Sequence, residues 1–93
     1  MKYVIVRSDQ AGVFAGYLES EIDTTVVLRK VRRLWSWEGA NCISDLATLG
    51  TSKPNECRFS IIVDRIKIFG CCEIDDVTFE AQQNIEGVPI WKL

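Results

Sequence analysis

A chain of 93 residues makes one small domain, since chains divide only well beyond twice this length. A composition of 47% hydrophobic and 26% charged residues excludes a disordered, collagen-like or coiled-coil protein. The longest apolar runs fall far short of the ~20 residues of a membrane helix. Eleven basic and thirteen acidic side chains leave a net charge of −2, which removes any global attraction to nucleic acid.

Histidine is absent, and with it the commonest general base, the usual zinc nitrogen ligand and the hydrolase triads. Cys42, Cys57, Cys71 and Cys72 show no Cys-x-x-Cys spacing, which argues against a structural zinc. The expectation is four reduced, mostly buried thiols in a cytosolic protein without a leader, Met1 running straight into a strand.

Residues 2–8 read as a first strand rich in β-branched side chains, Asp9–Gly12 as a turn, and Val13–Ser20 as the antiparallel return. Gly16 inside that return marks a bulge or a close backbone approach. After the acidic turn Glu21–Thr24, Thr25–Trp37 forms a long strand, bent or interrupted near its middle. Apolar spacing in 42–49 predicts a helix, with Asn41 as N-cap and Gly50 just past its end. Arg58–Phe69 alternates as two strands, or as one with a bulge, and 70–74 continues extended. Asp76 and Thr78 cap a last helix over 79–86, and Val88–Trp91 returns as a short edge or interface segment. The class is α+β: an antiparallel β-sheet with an N-terminal meander and two short helices, in a single domain of residues 1–93.

Chemistry concentrates in the long strand. In extended backbone, residues two apart share a face, which places Val27, Arg29, Val31, Arg33, Trp35 and Trp37 on one side. Guanidiniums match phosphate oxygens and indoles offer planes for a base, so this face suits a nucleotide. Arg7, Lys30 and Arg32 complete a local basic patch, with acidic residues gathered at 19–23 and 73–86. The same tryptophans and arginines serve equally as core mass and as aliphatic stems along a sheet. Downstream, Gly39 and the amides entering the first helix, with the Ser44 hydroxyl, form a second candidate anion site, against simple capping. The loop Gly50–Pro54 offers Ser52 and Lys53 to an anion, but its order is wrong for a Walker loop. Glu73, Asp75, Asp76, Glu80 and Glu86 are accounted for by solvation and helix capping. With no histidine and no cysteine beside a base, the chain reads as a non-enzyme with no cofactor and no metal.

Several blocks carry a resemblance along nearly the whole chain. They are Tyr3–Arg7, Ala11–Ser20, Val26–Arg29, Arg32–Trp35, Trp37, Gly39–Ala40, Leu46–Ala47, Gly50–Pro54, Cys57, Phe59 and Val88–Trp91. In order and spacing these resemble a small, mainly bacteriophage-encoded family of unknown function. The chain departs from that pattern at Ser36, where an aromatic residue is expected, and at Asn41-Cys42, where small residues are expected. The resemblance implies a phage gene expressed in the cytoplasm of a bacterial host, and no reaction. By analogy of gene class it implies a counter-defence factor, of the kind that sequesters nucleotide immune messengers at oligomer interfaces.

The reading that joins both lines is a homo-oligomer that binds a nucleotide-derived signal, such as a cyclic ADP-ribose isomer, an ADP-ribose conjugate or a cyclic dinucleotide, without cleaving it. Arg7, Arg29, Arg32, Arg33 and Lys53 neutralise phosphates, Trp35 and Trp37 wall the site, and Gly39, Ser44 and Ser52 close it. The alternatives are a protein-interaction module acting on a host protein and a single-stranded nucleic-acid binder, which the acidic balance disfavours. No membrane partner is expected.

Overall fold

The β-branched run Tyr3–Ser8 (β1) pairs antiparallel with Gly12–Ile22 (β2), from Tyr3 opposite Tyr17 to Ser8 opposite Gly12. Asp23 and Thr24 form the next turn and lead into Thr25–Ser36 (β3), completing the expected meander. These elements belong to a computed structural model that describes residues 1–92.

The far edge of β3 receives two short strands in succession. Arg58–Phe59 (β4) pairs with its Leu34–Ser36 end, and Val63–Ile68 (β5) with Val26–Val31. The stretch 58–69 is therefore two strands on one edge. Ser60 explains the break: its N–H donates to the Arg33 carbonyl at 2.8 Å, while its hydroxyl accepts from the Arg33 N–H at 2.7 Å. A side-chain oxygen has taken the place of a ladder carbonyl. Cys71–Asp76 (β6) pairs with the outer edge of β1, giving the order β4/β5–β3–β2–β1–β6, antiparallel throughout.

The sheet is strongly curled. β5 and β6 occupy opposite ends of the strand order, yet only Phe69 and Gly70 separate them. Three Cα steps reach ~11 Å at most, whereas opposite edges of a flat sheet this wide stand ~19 Å apart. The corner is pinned where the Ser8 hydroxyl donates to the Phe69 carbonyl at 2.8 Å and the Cys71 N–H to the Thr24 carbonyl at 2.9 Å.

Curling divides the apolar side chains into two clusters. Val4, Val6, Phe14, Val26, Leu28, Val31 and Ile68 fill the inner face. Tyr3, Ile5, Ala15, Leu34 and Phe59 line the outer face, beneath Ile43–Leu49 (α1) and Phe79–Gly87 (α2). α2 starts as expected, with the Thr78 hydroxyl accepting from the Ala81 N–H at 3.1 Å, and it buries Ala81 and Ile85 at helical spacing. α1 ends at Gly50 but begins one residue later than expected. Cys42 holds the cap position, because Asp45 reaches back to accept the Asn41 N–H at 3.4 Å. The thiols form no disulfide among the described residues and are not mostly buried: only Cys57 is, since Cys42 sits at that exposed helix start and Cys72 on the outer edge strand. Among the described residues, no helix is long and apolar enough to cross a membrane.

Candidate functional site

The shared face expected of β3 does not form. Lys30 adopts a left-handed backbone, φ 47°, and inserts a bulge that reverses the alternation beyond it. Before it, Arg29 stands opposite Tyr17 and Arg65 on the outer face. After it, Arg32 faces outward opposite Ala15, and Arg33 inward opposite Phe14. The ten expected ligand residues are consequently dispersed.

Arg7 lies near the other edge of the sheet, bonded to Asp9 at 2.8 Å and to Glu73 at 3.3 Å. Arg29 holds Glu19 at 2.9 Å and Asp64 at 3.5 Å, so neighbouring carboxylates already offset its charge. Arg32 is buried, with 1% of its surface exposed. It donates to the carbonyls of Ser60 at 2.9 Å, Ile85 at 2.9 Å and Val88 at 2.8 Å. Burial pushes its pKa below the ordinary guanidinium value, while the nearby Tyr3 hydroxyl acts in the opposite direction. It anchors the end of α2 and has no access to a ligand.

The second expected site is a contact between two loops. Gly39, at φ 82°, packs so closely that a Cβ there would stand 2.6 Å from the Lys53 nitrogen. Its carbonyl accepts from the Ser52 N–H at 3.2 Å and from the Ser52 hydroxyl at 3.3 Å. Lys53 and Ser44 are exposed, and the Ser44 carbonyl accepts the Thr48 hydroxyl at 2.8 Å. Trp37 is half-buried against the outer cluster. The adjoining hollow, about 410 Å³, includes Glu38 and Asp45, the wrong charge for an anion. Thr51, which the sequence did not single out, organises this loop from a buried position. Its hydroxyl donates to the Glu38 carbonyl and accepts from the Lys53 N–H at 2.9 Å.

Arg33 and Trp35 do come together. They line a groove of about 210 Å³ on the inner side of the sheet with Ser60, Ile61, Val63 and Ile66. A neighbouring lobe of about 230 Å³ shares Arg33 and Ile66 and adds Phe14, Lys67 and Phe69. Among the described residues no carboxylate lines either lobe. The Arg33 guanidinium rests over the Phe14 ring at 4.7 Å and makes no ion pair among the described residues. Trp35, 54% exposed, meets Trp91 edge-to-face at 5.8 Å, and Arg58 covers the Trp91 ring at 5.0 Å. Sequence reasoning missed Phe14, Lys67, Phe69 and the Ile61–Ile66 wall, having treated the alternation of 58–69 as strand packing alone.

These features define an α+β domain whose curled sheet carries helices outside and a basic, aromatic groove inside. The chain belongs to the family described as a domain of unknown function, DUF6948, whose model matches residues 1–85. That match covers the whole groove lining. No curated protein and no solved structure matches the chain.

Proposed function

We propose that this protein is a non-catalytic binder of a nucleotide-derived anion, held at the Arg33–Trp35 groove. One observation carries the reading: a guanidinium without a carboxylate partner among the described residues lies beside a half-exposed indole, in a groove lined by no acid. Such a guanidinium is free to take a phosphate, and the indole offers a stacking plane. Each lobe is smaller than a typical ligand pocket of ~300–1,000 Å³, so a homo-oligomer that completes the walls fits the ligand better than one copy does. Together with the resemblance to phage proteins, the reading extends to a counter-defence role in the bacterial cytoplasm, sequestering a cyclic ADP-ribose isomer, an ADP-ribose conjugate or a cyclic dinucleotide intact.

The test is thermal unfolding against those nucleotides, with short single-stranded oligonucleotides in the same panel and each ligand rechecked for chemical change. Ligand at a hundred times its Kd adds ~2.7 kcal/mol, several degrees for a domain this size. The expected result is a shift with intact ligand that Arg33→Ala and Trp35→Ala both abolish while remaining folded. Normal affinity in both variants overturns the site, and a cleaved ligand overturns the non-catalytic reading.

A second reading has its own support in the apolar rim. Ile61, Val63 and Phe69 are 59%, 37% and 63% exposed around the groove. Such a rim also fits an apolar segment of a protein partner. A panel without any shift favours that partner over the nucleotide.

A further inference from the structure

The two free edges of the sheet carry opposite charge in matching positions. Among the described residues β5 pairs only with β3 and β6 only with β1, so each leaves one edge without a ladder partner. Both are six residues long. Unpaired edges of this length are templates for another strand unless something covers them.

The registers fix which side chains lie where. Arg65 stands opposite Arg29, which stands opposite Tyr17, which stands opposite Tyr3, so Arg65 and Lys67 belong to the outer face. Glu73 stands opposite Arg7 and Asp75 opposite Ile5, on that same face. Ile66 and Ile74 both pack against the inner cluster. One edge therefore presents an outward basic row and the other an outward acidic row, each with an isoleucine between on the inner side. Two of these charges lack an ionic partner among the described residues: Lys67, which rests near the Phe69 ring at 5.6 Å, and Asp75.

Self-pairing of either edge is electrostatically disfavoured in the two registers of greatest overlap. A two-fold axis through a continuous sheet sets residues of the same face opposite each other. Two β5 edges would then oppose Arg65 to itself or to Lys67, and two β6 edges would oppose Glu73 to itself or to Asp75. Like charges directly opposite are destabilising. Joining β5 to the β6 of a second copy removes the conflict. β1 and β3 run in one direction and β5 and β6 in the other, so with the outer faces aligned this contact is parallel. A single register then sets Arg65 beside Glu73, Ile66 beside Ile74 and Lys67 beside Asp75. We infer that copies of this chain associate head to tail, the basic β5 edge of one pairing in parallel with the acidic β6 edge of the next. The contact is heterologous, so it builds a ring or an open chain. It gives a physical form to the oligomer in the preceding reading and does not depend on any ligand.

The test uses the full chain without nucleotide, in sedimentation or light scattering across protein concentration. Wild type is expected to exceed monomer mass as concentration rises, and to dissociate as salt screens the edge charges. Lys67→Glu and Asp75→Lys are each expected to stay monomeric, since each sets like charges against each other at the 67–75 pair and leaves only the 65–73 attraction. Mixed in equal amounts they restore both contacts, and assembly is expected to return. Arg65→Glu mixed with Glu73→Lys repeats the logic, and circular dichroism checks that every variant is folded. A monomeric wild type, single variants that still assemble, or folded variants that fail to assemble on mixing would each overturn the inference. Nucleotide binding measured on the same samples judges the groove separately.

Discussion

Gly16 lies directly against Val31 across the β2–β3 pairing: a Cβ built on the glycine would stand 2.9 Å from the Val31 Cβ and 3.0 Å from the Arg29 carbonyl oxygen. The ladder skips there, from Ala15 opposite Arg32 to Tyr17 opposite Arg29. The bulge on β3 and the missing side chain on β2 are thus two halves of one device. Gly16→Ala inserts a methyl where only backbone relaxation makes room. It is expected to destabilise the fold by ~1–3 kcal/mol, read as a lower denaturant midpoint at unchanged slope.

Lys30 is the other side of that device. Its left-handed backbone costs ~1 kcal/mol in any residue with a Cβ and is hardest for a β-branched one. Lys30→Gly is expected to hold or raise stability, whereas Lys30→Val is expected to lower it by about 1 kcal/mol or more. Equal effects of the two substitutions in urea titrations would contradict the bulge.

What the sequence disclosed follows the range of the interactions involved. The meander, the cap at Thr78 and the close approach at Gly16 rest on contacts between near neighbours or on a residue type with one meaning. The interruption of β3 was legible as a bend, but its site was not, since a lysine carries no mark of left-handed backbone. That single residue decides the candidate site. It sends Arg29 and Arg33 to different faces, and a period-two reading treats them as companions. Arg32 and Arg33 are the same residue type in adjacent positions, and only tertiary packing tells the buried anchor from the groove cation. Ser60 splitting β4 from β5 is likewise a long-range hydrogen bond that no local pattern announces.

Arg32 holds three carbonyls, that of Ser60 after β4 and those of Ile85 and Val88 near the end of α2. A cation there also meets the negative end of the helix dipole. Arg32→Ala leaves the Ser60 and Val88 oxygens without this donor and the Ile85 oxygen with only the Val88 N–H at 3.3 Å, and opens a cavity beside Phe59, whose ring the guanidinium approaches at 5.3 Å. The expected loss is ~3 kcal/mol or more, a large share of the stability of so small a domain. Arg32→Lys keeps the charge but not the fork, and is expected to fall between the two. Nucleotide affinity of the folded fraction is expected to stay unchanged in Arg32→Lys, which separates this anchor from Arg33.

Asp75 gives the fold a pH dependence of unusual sign for a carboxylate. Burial, then the hydrogen bond and the charge of Glu73, push its pKa up to about 6 from 3.8. Its Oδ2 is buried with no hydrogen-bond partner among the described residues. Because the folded value is the higher one, the protonated form stabilises the fold fully below about 3.8, and this stabilisation is lost as pH rises through about 6. Glu73 runs the other way: hydrogen bonds from Asp75 and then Arg7 hold its pKa below 4.5, so its contribution is present above that value and is lost on acidification. The Asp75 gain is complete only below about 3.8 and the Glu73 gain only above about 4.5, so these two groups together favour the fold most between about 3.8 and 4.5. Asp75→Asn keeps the shape and removes the charge, and is expected to stabilise the fold by ~1 kcal/mol at pH 7–8, after discounting for solvent screening, with no gain below pH 4. Denaturant midpoints of both proteins across pH 4–8 check this. Parallel profiles would place the titrating group elsewhere, whereas a difference that opens between pH 5 and 7 locates the proton on Asp75.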